Sequence, residues 1–250
     1  MKVGFIGCGN MARAIIKGIL NKGILDAGQI YASDKLRSNL ELAKSEFGIL
    51  TYMDNKKLAL SVDIIFLAIK PQQFNMVAEE ILPVIGDKKL FVSIMAGKSI
   101  ADICNAFGGE IKCIRTMPNT PALVGVGMTA LCKNKFVSPK EMQLVIELFE
   151  SFGKAEVVPE VMMDAVVGIS GSAPAYVFLF IEAMADAAVA EGMPRDSAYK
   201  FAAQTVMGSA KMVLETGKHP AVLKDMVCSP AGTTIEAVRV LEEKGFKSAV

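Results

Sequence analysis

The chain opens with an apolar strand that runs directly into Gly7-Cys8-Gly9-Asn10-Met11-Ala12, all within its first twelve residues. Val3, Phe5 and Ile6 read as a short strand, and Met11, Ile15, Ile16, Ile19 and Leu20 follow at helical spacing. A strand, a G-x-G-x-x-A turn and a helix in that order leave few folds open. Gly7 permits the tight turn, Gly9 lets a pyrophosphate approach the backbone, and small Ala12 lets the helix lie close to the sheet. The turn also aims the helix's free amides and positive dipole end at one point. This is the fingerprint of a dinucleotide-binding unit.

Behind it, short apolar runs alternate with helical patterns as far as about residue 158, as βαβ units around a parallel sheet do. Strands are expected over 29–33, 49–52, 62–69, 90–94, 111–117, 128–132 and 155–158. The run from Val62 to Ile69 is apolar on both faces, as a central parallel strand must be. Ser138 and Pro139 start a helix that runs to about Glu150. Beyond about residue 160 the strand signal stops, and helices are expected over 174–191, 196–215, 221–227 and 233–244. The first of these is apolar nearly all round. Its surplus apolar surface places it at a subunit interface, the alternative being the centre of a self-contained bundle.

Charge is balanced, 27 basic against 26 acidic residues, with no basic stripe interleaved with aromatics, so nucleic acid is not an expected partner. The five cysteines form no C-x-x-C pair and there is one histidine, which argues against a metal site and a disulfide framework and for a reducing cytoplasm. Met1 leads straight into a strand, so no signal peptide is expected. The most apolar stretch, Ala165 to Ala190, is interrupted by Gly171, Pro174, Glu182 and Asp186 and reads as too broken for a membrane span.

In an open parallel sheet, ligands bind at the carboxyl ends of the strands. Those ends carry Gly7 to Ala12, then Ser33-Asp34-Lys35, Ala68-Ile69-Lys70-Pro71, Ala96-Gly97 and Met117-Pro118-Asn119-Thr120-Pro121. An acidic residue after the second strand suits the ribose hydroxyl of NAD(H), and basic residues suit the 2′-phosphate of NADP(H). The chain offers both, Asp34 beside Lys35 and Arg37, and the residues alone leave the choice open. Catalytic acids and bases are scarce. The only histidine, His219, precedes Pro220 in a helix connection and reads as a capping or surface residue. A carbonyl acceptor of hydride wants a strong proton donor. A protonated imine is already electrophilic, so binding and orientation supply most of its catalysis. Ser170 to Tyr176 and Ser229 to Thr234 each read as a helix start with hydroxyls and free amides, suited to a carboxylate.

Taken together, Gly7 to Ala12, Lys70-Pro71, Met117 to Pro121, Ser170 to Phe178 and Asp225-Met226-Val227-Cys228-Ser229-Pro230-Ala231-Gly232-Thr233-Thr234 resemble pyrroline-5-carboxylate reductases over essentially the whole chain. The resemblance implies an α/β protein, with a Rossmann-type doubly wound sheet over 1–158 and an all-α substrate-binding and dimerisation domain over 159–250. It implies reduction of the C=N bond of 1-pyrroline-5-carboxylate, a cyclic imine, to L-proline, the last step of proline synthesis. The hydride donor is NADP(H), which the family usually prefers, or NAD(H). It also implies a homodimer, with a decamer of five dimers as the family's larger assembly. Residue by residue, Gly7, Cys8, Gly9, Asn10, Met11 and Ala12 would hold the pyrophosphate, and Ser33, Asp34, Lys35 and Asn55 the adenosine end. Ala68, Lys70, Pro71, Ala96 and Gly97 would flank the cofactor, and Met117 and Asn119 would surround the nicotinamide and imine. Gly232, Thr233 and Thr234 would bind the substrate, with Thr234 as the catalytic donor near the ring nitrogen. Ala173 and Ala231 stand where the family usually has glycine, and the chain stops at Val250 inside what is usually a longer helix, an end either truncated or naturally short. Two other readings fit the layout. A β-hydroxyacid dehydrogenase would need a lysine on the helix over 174–191, which has none, and a non-catalytic NADP-binding regulator would bind cofactor without turnover.

Overall fold

The computed structural model describes residues 1–86 and 88–250. Among the described residues eight strands form one sheet: β1 (Val3–Ile6), β2 (Ile30–Ser33), β3 (Leu50–Tyr52), β4 (Ile64–Leu67), β5 (Leu90–Ser93), β6 (Lys112–Met117), β7 (Gly127–Lys133) and β8 (Gly153–Val157). Their order is β3-β2-β1-β4-β5-β6-β7-β8, so β1 lies between β2 and β4 with Val3 opposite Ile30 on one side and Ile64 on the other. Strand order therefore reverses direction at β1, which makes the carboxyl end of that strand the crevice of the sheet.

One expectation changes here. The alternation predicts a parallel sheet throughout, but β7 pairs antiparallel with β6 and parallel with β8. A parallel return needs a crossover of a dozen or more residues. The link from Met117 to Gly127 is too short for one and turns the chain directly back, whereas the β7–β8 link carries a full helix.

The helices that accompany the sheet are α1 (Asn10–Asn21), α2 (Arg37–Phe47), α3 (Asn55–Ser61), α4 (Phe74–Ile81), α5 (Ile100–Ala106) and α6 (Pro139–Phe149). Along β4 the side chains alternate between two cores, Ile64 and Phe66 on one face and Ile65 and Leu67 on the other. Phe66 stacks on Phe5 at 4.6 Å on the first face, and Phe91 stacks on Phe107 at 4.4 Å on the second. Each such buried ring contributes roughly 1.5–3 kcal/mol, which holds the strand ends in place as a rigid edge. Local chemistry starts three of the helices. Asp54 accepts from the amides of Lys56 and Lys57 at α3, and Ser99 and Ser138 form reciprocal capping boxes with Asp102 and Glu141 at α5 and α6.

The remaining helices are α7 (Met163–Val166), α8 (Ala173–Ala190), α9 (Arg195–Thr216), α10 (Pro220–Val227), α11 (Thr233–Glu243) and α12 (Phe246–Ala249). The chain divides into two compact units, Met1–Tyr176 and Val177–Val250. α8 does start within the segment over 170–176, at Ala173, but not as the free helix end that the sequence suggests. A π turn over Val167–Gly171 joins α7 to α8, with the Ser172 amide bonded to the Val167 carbonyl at 2.8 Å. Pro174 has no amide proton to return to the preceding turn, and the slip to a wider turn accommodates it. The apolar run is accordingly less broken than its glycine and proline suggest: Glu160–Ala190 is 31 helical residues whose most apolar 18-residue stretch has mean hydropathy 1.5, long and apolar enough to cross a membrane by length and composition. On α8, Tyr176, Phe178 and Leu179 are exposed and only Ala185 is buried. In the second unit Gly192 (φ +94°) and Gly217 (φ +62°) end α8 and α9 in the left-handed conformation. His219 caps α10, its Nδ1 accepting from the Ala221 amide at 3.2 Å, as its sequence position suggests.

Candidate active site

Gly7 and Gly9 are glycines for different reasons. Gly7 has φ +93°, and a Cβ there would lie 2.4 Å from the carbonyl oxygen of Ala68 on the neighbouring strand end. That position is forbidden to any other residue by the protein's own backbone. Gly9 has an ordinary φ of −78°, and a Cβ there would meet nothing within 4 Å. Nothing inside the molecule demands a glycine at that point. The space above it is open, and it lies at the N-terminus of α1, which unlike α3, α5 and α6 has no side-chain cap. The first amides of α1 thus face a hollow that a methyl group would invade, as a phosphate seat requires.

Two hollows meet at this point. One of about 470 Å³ includes Gly7, Asp34, Lys35 and Asn55 in its walls, and the other, of about 350 Å³, includes Met11, Pro71, Ala96 and Pro118. Gly9, Ala68, Ile69 and Lys70 belong to both. The shape is a pair of rooms along the strand edge, joined over the α1 N-terminus, and it fits a dinucleotide with its pyrophosphate at the junction.

In the first room, the Asp34 carboxylate accepts from the Cys8 amide (2.9 Å), the Leu36 amide (2.8 Å) and the Asn39 side chain (3.0 Å). These bonds tie together the loops after β1 and β2 and leave one acceptor position on Oδ1. Lys35 is exposed and lines the room, whereas Arg37 reaches Glu41 on the solvent side at 3.8 Å. Of the two basic candidates, Lys35 alone faces the cleft. Ser33 is fully buried and donates its hydroxyl to Asn55 at 2.7 Å, so it shapes the wall through Asn55. The Cys8 side chain is buried too, and burial, with the nearby Asp34 carboxylate, pushes its thiol up to about 11. It stays protonated and serves through its backbone amide. Sequence reasoning missed Met53, Met76 and Glu80, which complete this room from the end of β3 and from α4. The exposure of two methionines (56% and 63%) was the only signal they carried, and it is visible only after folding.

At the end of β6, the Asn119 carboxamide is used on both sides. Its oxygen accepts from the Met128 amide at 2.9 Å and its nitrogen donates to the Ser170 hydroxyl at 3.2 Å. A Cβ on Gly171 would lie 2.5 Å from Met117 Cε. Two segments about fifty residues apart in sequence, Met117 to Pro121 and Ser170 to Ser172, are therefore brought into contact by side chains at the π turn. Gly97 has φ +72° and open space around it, and it turns the chain after β5.

Gly232, Thr233 and Thr234 stand in the second unit at the start of α11. Gly232 is its N-cap without a side-chain cap, and a Cβ there would lie 2.3 Å from the Ser229 hydroxyl. Thr234 is half-buried, Thr233 exposed.

The comparisons with known proteins agree over the full length. Residues 160–250 match the family model for pyrroline-5-carboxylate reductase dimerisation, and residues 2–97 match one for NADP oxidoreductase, coenzyme F420-dependent. A pyrroline-5-carboxylate reductase of Escherichia coli is 54% identical over 249 residues, covering 100% of this chain and 93% of that protein. The structure of a pyrroline-5-carboxylate reductase from Coxiella burnetii superposes with a TM-score of 0.92 at 35% identity, covering 99% of this chain and 92% of that one. A pyrroline carboxylate reductase from Plasmodium falciparum with NADP bound superposes at 0.89 and 34% identity, covering 100% and 92%. The chain belongs to the pyrroline-5-carboxylate reductase family.

Within that reductase family, the two departures from glycine have different consequences. Ala173 is the first residue of α8 and has no positive φ. Ala231 has φ +55°, the one non-glycine residue in the left-handed region among the described residues. Here alanine adopts a conformation that glycine reaches without strain.

Proposed function

We propose that this chain reduces the C=N bond of 1-pyrroline-5-carboxylate to give L-proline, with NADPH as preferred donor and NADH as a second. The observation that carries the reading is the pair of hollows joined over the uncapped α1 N-terminus at the sheet's switch point. Family membership supplies the substrate.

When bound, a reduced nicotinamide supplies the hydride, and the residues of the chain do the rest. The segment Gly7 to Ala12 holds the pyrophosphate: Gly7 and Cys8 shape the loop, their amides bonded to the Ser33 carbonyl and the Asp34 carboxylate, and the first amides of α1 face the phosphates. Asp34, Lys35 and Asn55 hold the adenosine ribose, with the buried Ser33 acting through Asn55 and Lys35 being the cation for a 2′-phosphate. Ala68, Lys70, Pro71, Ala96 and Gly97 flank the cofactor along the strand edge. Met117 and Asn119 wall the nicotinamide end, and the ties from Asn119 to β7 and Ser170 keep that wall rigid. Gly232 shapes the turn, its own amide bonded to the Ser229 carbonyl, so the first amides of α11, from Thr233 and Thr234, receive the substrate carboxylate, and the Thr234 hydroxyl donates to the ring nitrogen as it becomes an amine. Because a protonated imine is electrophilic near neutral pH, no strong side-chain acid is required, and orientation contributes most of the rate. That agrees with a chain whose single histidine caps a helix.

The functional boundary in this reading falls at 158/159, after β8, with 1–158 binding cofactor and 159–250 binding substrate and a second copy. The exposed apolar face of α8 and the family's dimerisation match support a homodimer, with five dimers in a ring as the larger form. The second copy, rather than a membrane, covers that face, and the enzyme works in the cytoplasm. The test is consumption of NADPH or NADH with racemic 1-pyrroline-5-carboxylate. Turnover with either supports the reading, and none with both overturns it.

A further inference from the structure

Glu80 has no role in the scheme above, yet it lines the adenosine room. It stands in the last turn of α4, where a negative charge opposes the helix dipole, so helix stability does not explain it. Its Oε2 accepts from Asn55 Nδ2 at 2.8 Å, and Asn55 Oδ1 accepts from the Ser33 hydroxyl at 2.7 Å. The order of this chain matters. A serine hydroxyl can donate or accept, so it cannot orient an amide by itself, whereas a carboxylate only accepts. Glu80 therefore decides that Asn55 turns its nitrogen towards α4 and its oxygen towards the end of β2. The same chain places the carboxylate beside the strand end where the adenosine ribose is held in this fold.

The charged groups in this room are Asp34, Glu80, Lys35 and Lys70. Asp34 accepts from three neutral donors, the Cys8 and Leu36 amides and the Asn39 side chain, which tie it to the loops after β1 and β2. Among the described residues Glu80 accepts from the neutral Asn55 amide, so on the α4 wall a second full negative charge faces the room. We propose that Glu80 is a specificity-determining residue, whose carboxylate opposes the 2′-phosphate that Lys35 attracts and so narrows the preference for NADPH over NADH. The inference rests on the reading of this cleft as an NAD(P)(H) site. A charge on one wall acts on the doubly charged 2′-phosphate and hardly at all on a ribose hydroxyl. Removing it changes one affinity and not the other.

The test is direct titration of NADPH and NADH by nicotinamide fluorescence, without imine, on wild type, Glu80→Gln and Glu80→Asp. In a solvent-open cleft one charge is worth about three- to tenfold. Glu80→Gln keeps an acceptor for Asn55, and it is expected to tighten NADPH by about that factor while NADH stays within about twofold. Glu80→Asp keeps the charge and is expected to leave the NADPH-to-NADH ratio within about twofold of wild type. The Gln effect should shrink as salt is added, which a purely structural role would not produce. An unchanged ratio in Glu80→Gln, or an equal change in both affinities, overturns the inference while the proposed function stands. Wild type binding neither cofactor overturns both.

Discussion

The two glycines of the fingerprint can be separated by experiment, because the structure gives each a different reason to be there. Gly7→Ala forces a side chain onto φ +93° and sets a Cβ 2.4 Å from the Ala68 carbonyl oxygen, a backbone atom that no rotamer change can move. The conformational strain is about 1–3 kcal/mol and the overpacking about 1–3 kcal/mol more, so a loss near 4 kcal/mol is expected. In a chain of this length that lowers Tm by roughly 10 °C. Gly9→Ala meets neither obstacle, with φ −78° and nothing within 4 Å of the new methyl group. A small loss at the N-cap and a small gain in unfolded-state entropy nearly cancel, leaving stability within about 1 kcal/mol of wild type. The methyl group instead stands between a phosphate and the α1 amides. Losing one charge-assisted hydrogen bond there, at about 1.5–3 kcal/mol, weakens NADPH roughly ten- to a hundredfold. Thermal unfolding without cofactor and NADPH titration read the two quantities independently. Gly9→Ala binding NADPH within twofold of wild type, or unfolding as early as Gly7→Ala, would refute the reasoning.

Three further outcomes are expected. Lys35→Ala should weaken NADPH by about tenfold and leave NADH nearly unchanged, whereas Arg37→Ala, which faces Glu41, should alter neither; titration of both cofactors checks this. Ala231→Gly should raise stability by about 0.5–1 kcal/mol, because relief of about 1–2 kcal/mol of left-handed strain exceeds the entropy that glycine adds to the unfolded chain, and a Tm increase of a few degrees is the readout. Thr234→Ala should lower kcat about tenfold or more while NADPH affinity stays within about twofold, and turnover at the wild-type rate would remove Thr234 from the chemistry.

Much of this was legible in the residues, and what was not has physical causes. Each strand lies within two residues of its expected range, because a buried parallel strand needs an unbroken apolar run that few other contexts tolerate. The direction of β7 was not legible, since apolar alternation is the same in either direction and only the short link after Met117 decides it. The π turn was hidden for a related reason. Glycine and proline at 171 and 174 signal a break, but the helix absorbs them by widening one turn and continues. In the site, Gly7 to Ala12 and Ser229 to Thr234 are contiguous and carry their own signal. Ser33, Asn55 and Glu80 come from β2, α3 and α4, and only the fold joins them into one hydrogen-bonded chain. Asp34 and Lys35 were visible as residues, but the donors that engage the Asp34 carboxylate come from Cys8 after β1 and from Leu36 and Asn39 after β2, which only the fold brings together.

The central claim is that a hydride passes from a nicotinamide to the imine carbon of 1-pyrroline-5-carboxylate. Cofactor deuterated at the transferable position of the nicotinamide ring, supplied with the imine in ordinary water, tests it in one measurement. L-Proline carrying one deuterium at its δ-carbon, formed in step with cofactor oxidation, is the expected product. Proline without the label, or cofactor oxidised with no proline formed, would contradict it.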